Sequence, residues 1–149
     1  MPRKTQTPNA DLQSPNSGLA APTDSQFAEA ATLREGLQRF QRESERITRE
    51  HGLTLNRYIL LLMIRTGRDG SRRAPLRELT ERLGLAQSTV VELVGRAESA
   101  GLVRRELSQT DRRAVYVALT DEGRARLEPA VAELARQRRR LIGILAELA

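Results

Sequence analysis

The chain has 149 residues, 39% of them hydrophobic, 30% charged and only 3% aromatic, which fits one globular domain whose core of Leu, Val, Ile and Ala favours helix over sheet. Its formal net charge is +6, almost all from arginine because Lys4 is the single lysine, so the surface suits an anionic partner, nucleic acid first and anionic membrane second. The lack of cysteine excludes disulfides, thiolate catalysis and cysteine-ligated zinc, His51 is the one histidine a catalytic triad could use, and no G-x-x-x-x-G-K or G-x-G-x-x-G phosphate loop is present.

Neither an enzyme nor a bound cofactor or metal is therefore expected. The longest apolar run, Tyr58–Ile64, is far short of the roughly 20 residues that span a bilayer. The N-terminus lacks the apolar core of a signal peptide, so a cytoplasmic location without membrane attachment is expected.

Residues 1–22 are polar and punctuated by Pro2, Pro8, Pro15 and Pro22, and read as a disordered tail. Thr23 or Asp24 can cap a long helix that reaches about His51, with Leu33, Leu37, Phe40 and Ile47 as its apolar stripe and Gly52 as its stop. Thr54 caps a second helix, Leu55 to about Thr66, that is apolar on every side and belongs at the centre of the domain. A polar loop, Gly67–Arg73, follows. Pro75 suits a first helical turn, Leu76, Leu79 and Leu83 make the inner face of a short helix, and Gly84 closes it. The next helix begins near Gln87, with Val90, Leu93, Val94 and Ala97 inward and Gly101 at its end. Two short helices joined by a tight glycine turn form a helix-turn-helix.

The runs 102–107 and 114–119 are rich in β-branched residues and pair as a hairpin whose polar tip holds Asp111, Arg112 and Arg113. Such a ribbon directly after a helix-turn-helix is a wing. Thr120 caps a last helix in which Leu127, Val131, Leu134, Leu141, Leu145 and Leu148 form a long apolar stripe, with a kink expected at Pro129. That stripe exceeds what one small winged domain can cover, and with the N-terminal stripe it suggests pairing of two chains about a two-fold axis. The reading is a mainly α, winged helix-turn-helix (α+β) fold with a small hairpin wing. Residues 23–149 form the domain, with 54–120 as a DNA-binding lobe and 23–53 and 121–149 as dimerisation helices.

In a helix-turn-helix the second helix enters the major groove. Its outward positions here are Gln87, Ser88, Thr89, Val91, Glu92 and Arg96. Gln pairs with adenine, Ser and Thr bond to bases or phosphates, Val91 suits a thymine methyl, and an ionised Glu92 prefers a cytosine amino group. The backbone N–H groups at the helix start can hold a phosphate. Arg112 and Arg113 suit a narrow minor groove, with Asp111 pairing a nearby arginine to fix the wing. The plainer alternative for all of these is a solvated face of a protein-interaction domain. Arg136, Arg138, Arg139 and Arg140 read as a solvated helix face, and His51 as an exposed cation at a helix C-terminus.

The run from Gly52 to Gly123 resembles the MarR family of bacterial regulators. The resemblance rests on Leu76-Arg77-Glu78-Leu79-Thr80-Glu81-Arg82-Leu83-Gly84, Ser88-Thr89-Val90-Val91-Glu92-Leu93-Val94, Ala100-Gly101-Leu102-Val103-Arg104-Arg105, and, most specifically, Asp111-Arg112-Arg113 with Leu119-Thr120-Asp121-Glu122-Gly123. It implies a triangular homodimer that grips a pseudo-palindromic operator in double-stranded DNA, usually as a repressor, and a small aromatic or anionic effector bound between the dimer helices and the DNA lobe. Phe40, Tyr58 and Met63 lie on the elements that would line that pocket, although core packing also explains them. Three departures stand out: Ala86 replaces the family's usual Ser or Asp cap, Glu92 stands where Arg is common, and relatives usually continue past the position of Ala149 into a further helix, which would shift the dimer interface toward the N-terminal helix. A ligand-independent activator is the alternative within the same fold.

Overall fold

A computed structural model describes residues 18–110 and 113–149 of the chain. Almost all of the expected tail lies outside the described residues, as do Asp111 and Arg112. Among the described residues, six helices and three strands follow in the order α1 (Asp24–Glu50), α2 (Leu55–Arg65), β1 (Arg73–Pro75), α3 (Leu76–Leu83), α4 (Gln87–Ser99), β2 (Val103–Leu107), β3 (Val115–Leu119), α5 (Asp121–Glu133) and α6 (Ala135–Leu148).

The first cap is Thr23, in a reciprocal box: its Oγ1 accepts from the Gln26 amide, and Gln26 Oε1 accepts from the Thr23 amide. The inward stripe of α1 keeps most of the expected positions, with Ile47 buried and Leu33 and Phe40 half-buried, but it takes Gly36 in place of Leu37. Gly36, Ser44, Ile47 and Thr48 are buried, whereas Leu37 is exposed. Small residues let α6 approach closely: a β-carbon on Gly36 would lie 3.1 Å from Ile144 Cδ1. The Ser44 hydroxyl satisfies itself by donating to the Phe40 carbonyl at 2.7 Å.

Helix α2 is the centre of the lobe. Leu60, Leu61 and Ile64 are fully buried against Leu79 of α3, Val90 and Val94 of α4, and Val117 of β3. Arg82 of α3 closes the C-terminal end of α2, donating to the Met63 and Thr66 carbonyls at 2.9 and 3.0 Å and to Thr66 Oγ1 at 2.9 Å. Four carbonyls end any helix without internal partners, so this arginine fixes the helix-turn-helix against α2.

The wing is a three-stranded antiparallel sheet in the order β1-β3-β2, with Ala74 opposite Val117 and Val117 opposite Arg105. Sequence reading placed Arg73 in a loop and Pro75 inside a helix. Both belong to β1, an edge strand, the position in a sheet where a proline is tolerated, and Pro75 becomes the residue before α3. In the loop before β1, Arg72 has φ 61°, the one non-glycine residue with positive φ among the described residues, a conformation that costs an L-residue about 1–2 kcal/mol.

The last helix is divided in two, at a position other than Pro129. Helix α5 runs through Pro129, and the break falls at Leu134, which ends α5 and begins α6. Leu134 turns into the core, 1% exposed, while Arg138 folds back to donate to the Val131 carbonyl at 2.8 Å. The long stripe is thus divided: Leu127 and Leu134 pack on the lobe, and Leu141 and Ile144 pack against α1. Arg138 is therefore not part of a solvated face, although Arg136, Arg139 and Arg140 are exposed.

Candidate nucleic-acid interface

Helices α3 and α4 are joined by Gly84, Leu85 and Ala86, with Gly84 in the left-handed region at φ 64°. Val90, Val94 and Ala97 anchor α4 in the core. Helical spacing then turns Gln87, Ser88, Thr89, Val91, Glu92 and Arg96 outward, and all six are exposed. Ala86 offers no side-chain cap, so the first amides of α4 point outward at the positive end of its dipole.

Two of those side chains are already paired. Arg96 Nη2 donates to Glu92 Oε1 one helical turn away. Glu92 therefore neutralises a cation on this face, and a cytosine contact would have to compete with it.

The wing neck is closed by the Ser108 amide donating to the Ala114 carbonyl at 3.1 Å, and Ser108 itself is buried. Arg113 is exposed at the tip. Sequence reading missed the brace that ties wing to recognition helix: Arg105 Nε of β2 lies 3.5 Å from Glu98 Oε2 of α4. Only the strand register, which puts Arg105 on the side of the edge strand nearest α4, reveals that pair. The wing exit is pinned as well, since Thr120 Oγ1 donates to the Gly101 carbonyl at 2.6 Å while accepting from the Gly123 amide at 3.1 Å.

Behind this lobe the three residues considered for an effector pocket separate. Phe40 lines a crevice of about 290 Å³ between α1 and α6, with Gly36, Arg39 and Glu43 on one wall and Arg136, Arg140 and Leu141 on the other. Gln137 Oε1 lies in the same wall, buried and without a hydrogen-bond partner among the described residues. Tyr58 and Met63 do not line it. Tyr58 is in the core, 6% exposed, with its hydroxyl against Arg138, and Met63 packs on the core surface. Burial raises the Tyr58 pKa above the ordinary phenol value, and the neighbouring Arg138 guanidinium opposes that shift. His51 is not an exposed cation: only 20% of its side chain is accessible, and Nε2 stands 3.0 Å from Glu133 Oε1 without hydrogen-bond alignment.

A core-anchored second helix with an exposed face, beside a braced antiparallel ribbon, defines a winged helix-turn-helix protein. Residues 51–114 match the sequence model of the MarR family. Solved structures with the same fold include AbsC, a MarR family transcriptional regulator from Streptomyces coelicolor, with 24% identity, TM-score 0.71, and 85% of this chain and 84% of that one covered. Sco3205, a MarR family regulator of the same organism crystallised in complex with DNA, is 23% identical with TM-score 0.68 over 85% of this chain and 79% of its own. The regulator Tm0710 from Thermotoga maritima is 27% identical with TM-score 0.57, over 83% of this chain and 82% of its own. No curated protein sequence matches the chain significantly.

Proposed function

We propose that the protein is a DNA-binding transcriptional regulator that acts as a homodimer, with residues 54–120 as the DNA-binding lobe and the terminal helical segments 23–53 and 121–149 as the dimer region. The observation that carries this reading is the uncapped, outward-facing start of α4 set beside the wing. Gln87, Ser88, Thr89 and Val91 read base edges in the major groove, and the amides of the first turn hold a phosphate. Arg113, with Asp111 and Arg112, places the wing tip in the adjacent minor groove. The DNA complex of Sco3205 supports the class of ligand.

Pairing of two chains is supported by the apolar side chains left exposed on the terminal helices: Phe27 at 63%, Leu37 at 38%, Ile142 at 63% and Leu145 at 43%. A two-fold pair presents two recognition helices about 34–36 Å apart, one turn of duplex, and so reads a pseudo-palindrome. The protein represses from that site, and a small aromatic or anionic effector releases it by favouring a different lobe spacing. The α1–α6 crevice, with an apolar floor and a cationic rim, is the place that suits such a molecule.

The test is fluorescence anisotropy on the duplex upstream of the protein's own gene and on random duplex, across a salt series. Arg113→Ala should weaken both and reduce the salt slope by about one. Gln87→Ala should weaken the upstream duplex by about 1–3 kcal/mol and leave random duplex unchanged. A protein that ignored both duplexes in dilute salt would end this reading.

A further inference from the structure

The solvent face of the wing sheet carries a cluster that the proposed DNA contact does not use. The register sets Arg73, Ala118 and Arg104 side by side across β1, β3 and β2, with Tyr116 and Glu106 on the next rung of the same face. Glu106 lies between the two arginines, accepting from Arg73 Nη1 at 3.3 Å and from Arg104 Nε at 2.9 Å. Arg104 also donates to the Leu119 carbonyl at 2.9 Å, and the Arg73 guanidinium stacks 4.3 Å from the Tyr116 ring centroid. Both guanidinium groups are therefore held in place.

Three more arginines converge on them. Arg65 comes from the last turn of α2, Arg124 from the first turns of α5, and Arg72 from the loop with positive φ. Together the five line a cleft of about 220 Å³ floored by Ala118 and Leu119, with Ser71 on its wall. Within the lining, five guanidinium groups stand against two carboxylates, Glu106 and Asp121, an excess of three positive charges, with Asp69 interacting with Arg73 from outside it. Glu106 is shared by two arginines, and the Asp121 side chain, paired to Arg124, is 96% exposed, so solvent screens it. Arg65 and Arg72 have no acidic partner among the described residues. Like charges gathered in one cleft repel, and the arrangement is relieved by an anion that accepts from several guanidinium groups at once. Arg72 is informative because a glycine would sit there unstrained, yet the residue that lines the cleft at this point is an arginine.

The geometry points to an oxyanion site at the root of the wing: a phosphate group bound by Arg65, Arg72, Arg73, Arg104 and Arg124. The volume is below the roughly 300–1,000 Å³ of pockets for drug-sized ligands, which suits a small, highly charged group. Neither α4 nor the described wing tip contributes to the cleft, so the site stands independently of the DNA reading above. The phosphate has two sources, a free small anion or the backbone of a nucleic acid.

The test is titration calorimetry on the full chain in chloride buffer at constant ionic strength, with inorganic phosphate and inorganic pyrophosphate as probes. A saturable isotherm with one site per chain is expected. Arg72→Gly should weaken it by about tenfold or more, the loss of one charge-assisted contact. Glycine suits the backbone at that position, so the melting temperature of the variant should equal or exceed that of the parent, which separates lost binding from lost folding. Arg65→Gln should weaken the isotherm in the same direction, and Arg34→Gln, on the exposed face of α1 and remote from the cleft, should not. With the isotherm in hand, the salt slope for duplex DNA assigns the source. A slope reduced by about one in Arg72→Gly makes the phosphate a nucleic-acid phosphate, and an unchanged slope makes it a free anion. Absence of saturable heat with both probes, or equal heats in the parent, Arg72→Gly and Arg65→Gln, overturns the site.

Discussion

Gly123 lies directly against the backbone of Leu102: a β-carbon added to it would fall 2.1 Å from the Leu102 carbonyl oxygen. That carbonyl already accepts from the Thr120 amide at 3.0 Å, so it has no room to retreat. The contact holds the start of α5 to the start of the wing. Gly123→Ala should gain under about 1 kcal/mol of helix propensity and lose more to overpacking, for a net destabilisation of about 2–3 kcal/mol by urea denaturation. A midpoint equal to that of the parent would show that the two segments are not in this contact.

Glu92 is a carboxylate among the outward residues that open α4, and it holds Arg96. Glu92→Gln should release that arginine toward DNA phosphate. Duplex affinity at low salt should rise several-fold, and the salt slope should steepen by about one. Weaker binding would instead mean that the carboxylate positions Arg96 or bonds to a base.

Tyr58 provides a pH dependence with a definite sign. Its buried phenol ionises less readily in the folded chain than in the unfolded one, since desolvation outweighs the opposing pull of Arg138. Below the ordinary phenol value of about 10 both states carry the proton, and the contribution to stability is complete. Above it the unfolded chain ionises first, so stability falls as pH rises toward and through the folded value. Tyr58→Phe should cost about 1 kcal/mol at neutral pH, through the lost contact to Arg138, and the gap to the parent should narrow above about pH 10. Denaturation at pH 7 and above pH 10 compares the two, and a constant gap would contradict the burial argument.

Ile142 and Leu145 remain exposed on α6. The paired variant Ile142→Glu with Leu145→Glu should sediment as a monomer and bind the upstream duplex at least about tenfold more weakly, because two coupled half-sites become one. Since neither side chain is buried in the single chain, thermal stability at low protein concentration should change little. A variant that still sedimented as a dimer would place the interface elsewhere.

Much of this architecture was legible in the residues. The caps Thr23, Thr54 and Thr120, the glycines at 52, 84 and 101, and the all-apolar Tyr58–Ile64 run each specify local structure through short-range chemistry, and the helix order follows from them. The outward set on α4 was readable for the same reason, because Val90, Val94 and Ala97 fix its rotation. What escaped depended on contacts distant in sequence. Strand β1 is three residues long and includes a proline, so only its pairing with β3 makes it a strand. The brace from Arg105 to Glu98 needs the sheet register, and the burial of Gly36 in place of Leu37 needs the close approach of α6. Pro129 carries the stronger local signal for an interruption, yet the division between α5 and α6 falls at Leu134, where a leucine can be buried and Arg138 can satisfy the Val131 carbonyl.

That single-residue elbow has a mechanical consequence. Leu134 is the single residue between the two helices, the C-cap of one and the N-cap of the next, so a change in the angle between them can be absorbed at one pair of backbone torsions. Helix α6 has 14 residues and is roughly 21 Å long, so turning it by about 10° about this pivot would swing its far end by about 4 Å. Arg138, beside the pivot, reaches both the Val131 carbonyl and the Tyr58 hydroxyl. The chain thus has a lever whose short arm is clamped to the buried helix of the lobe and whose long arm carries Ile142 and Leu145.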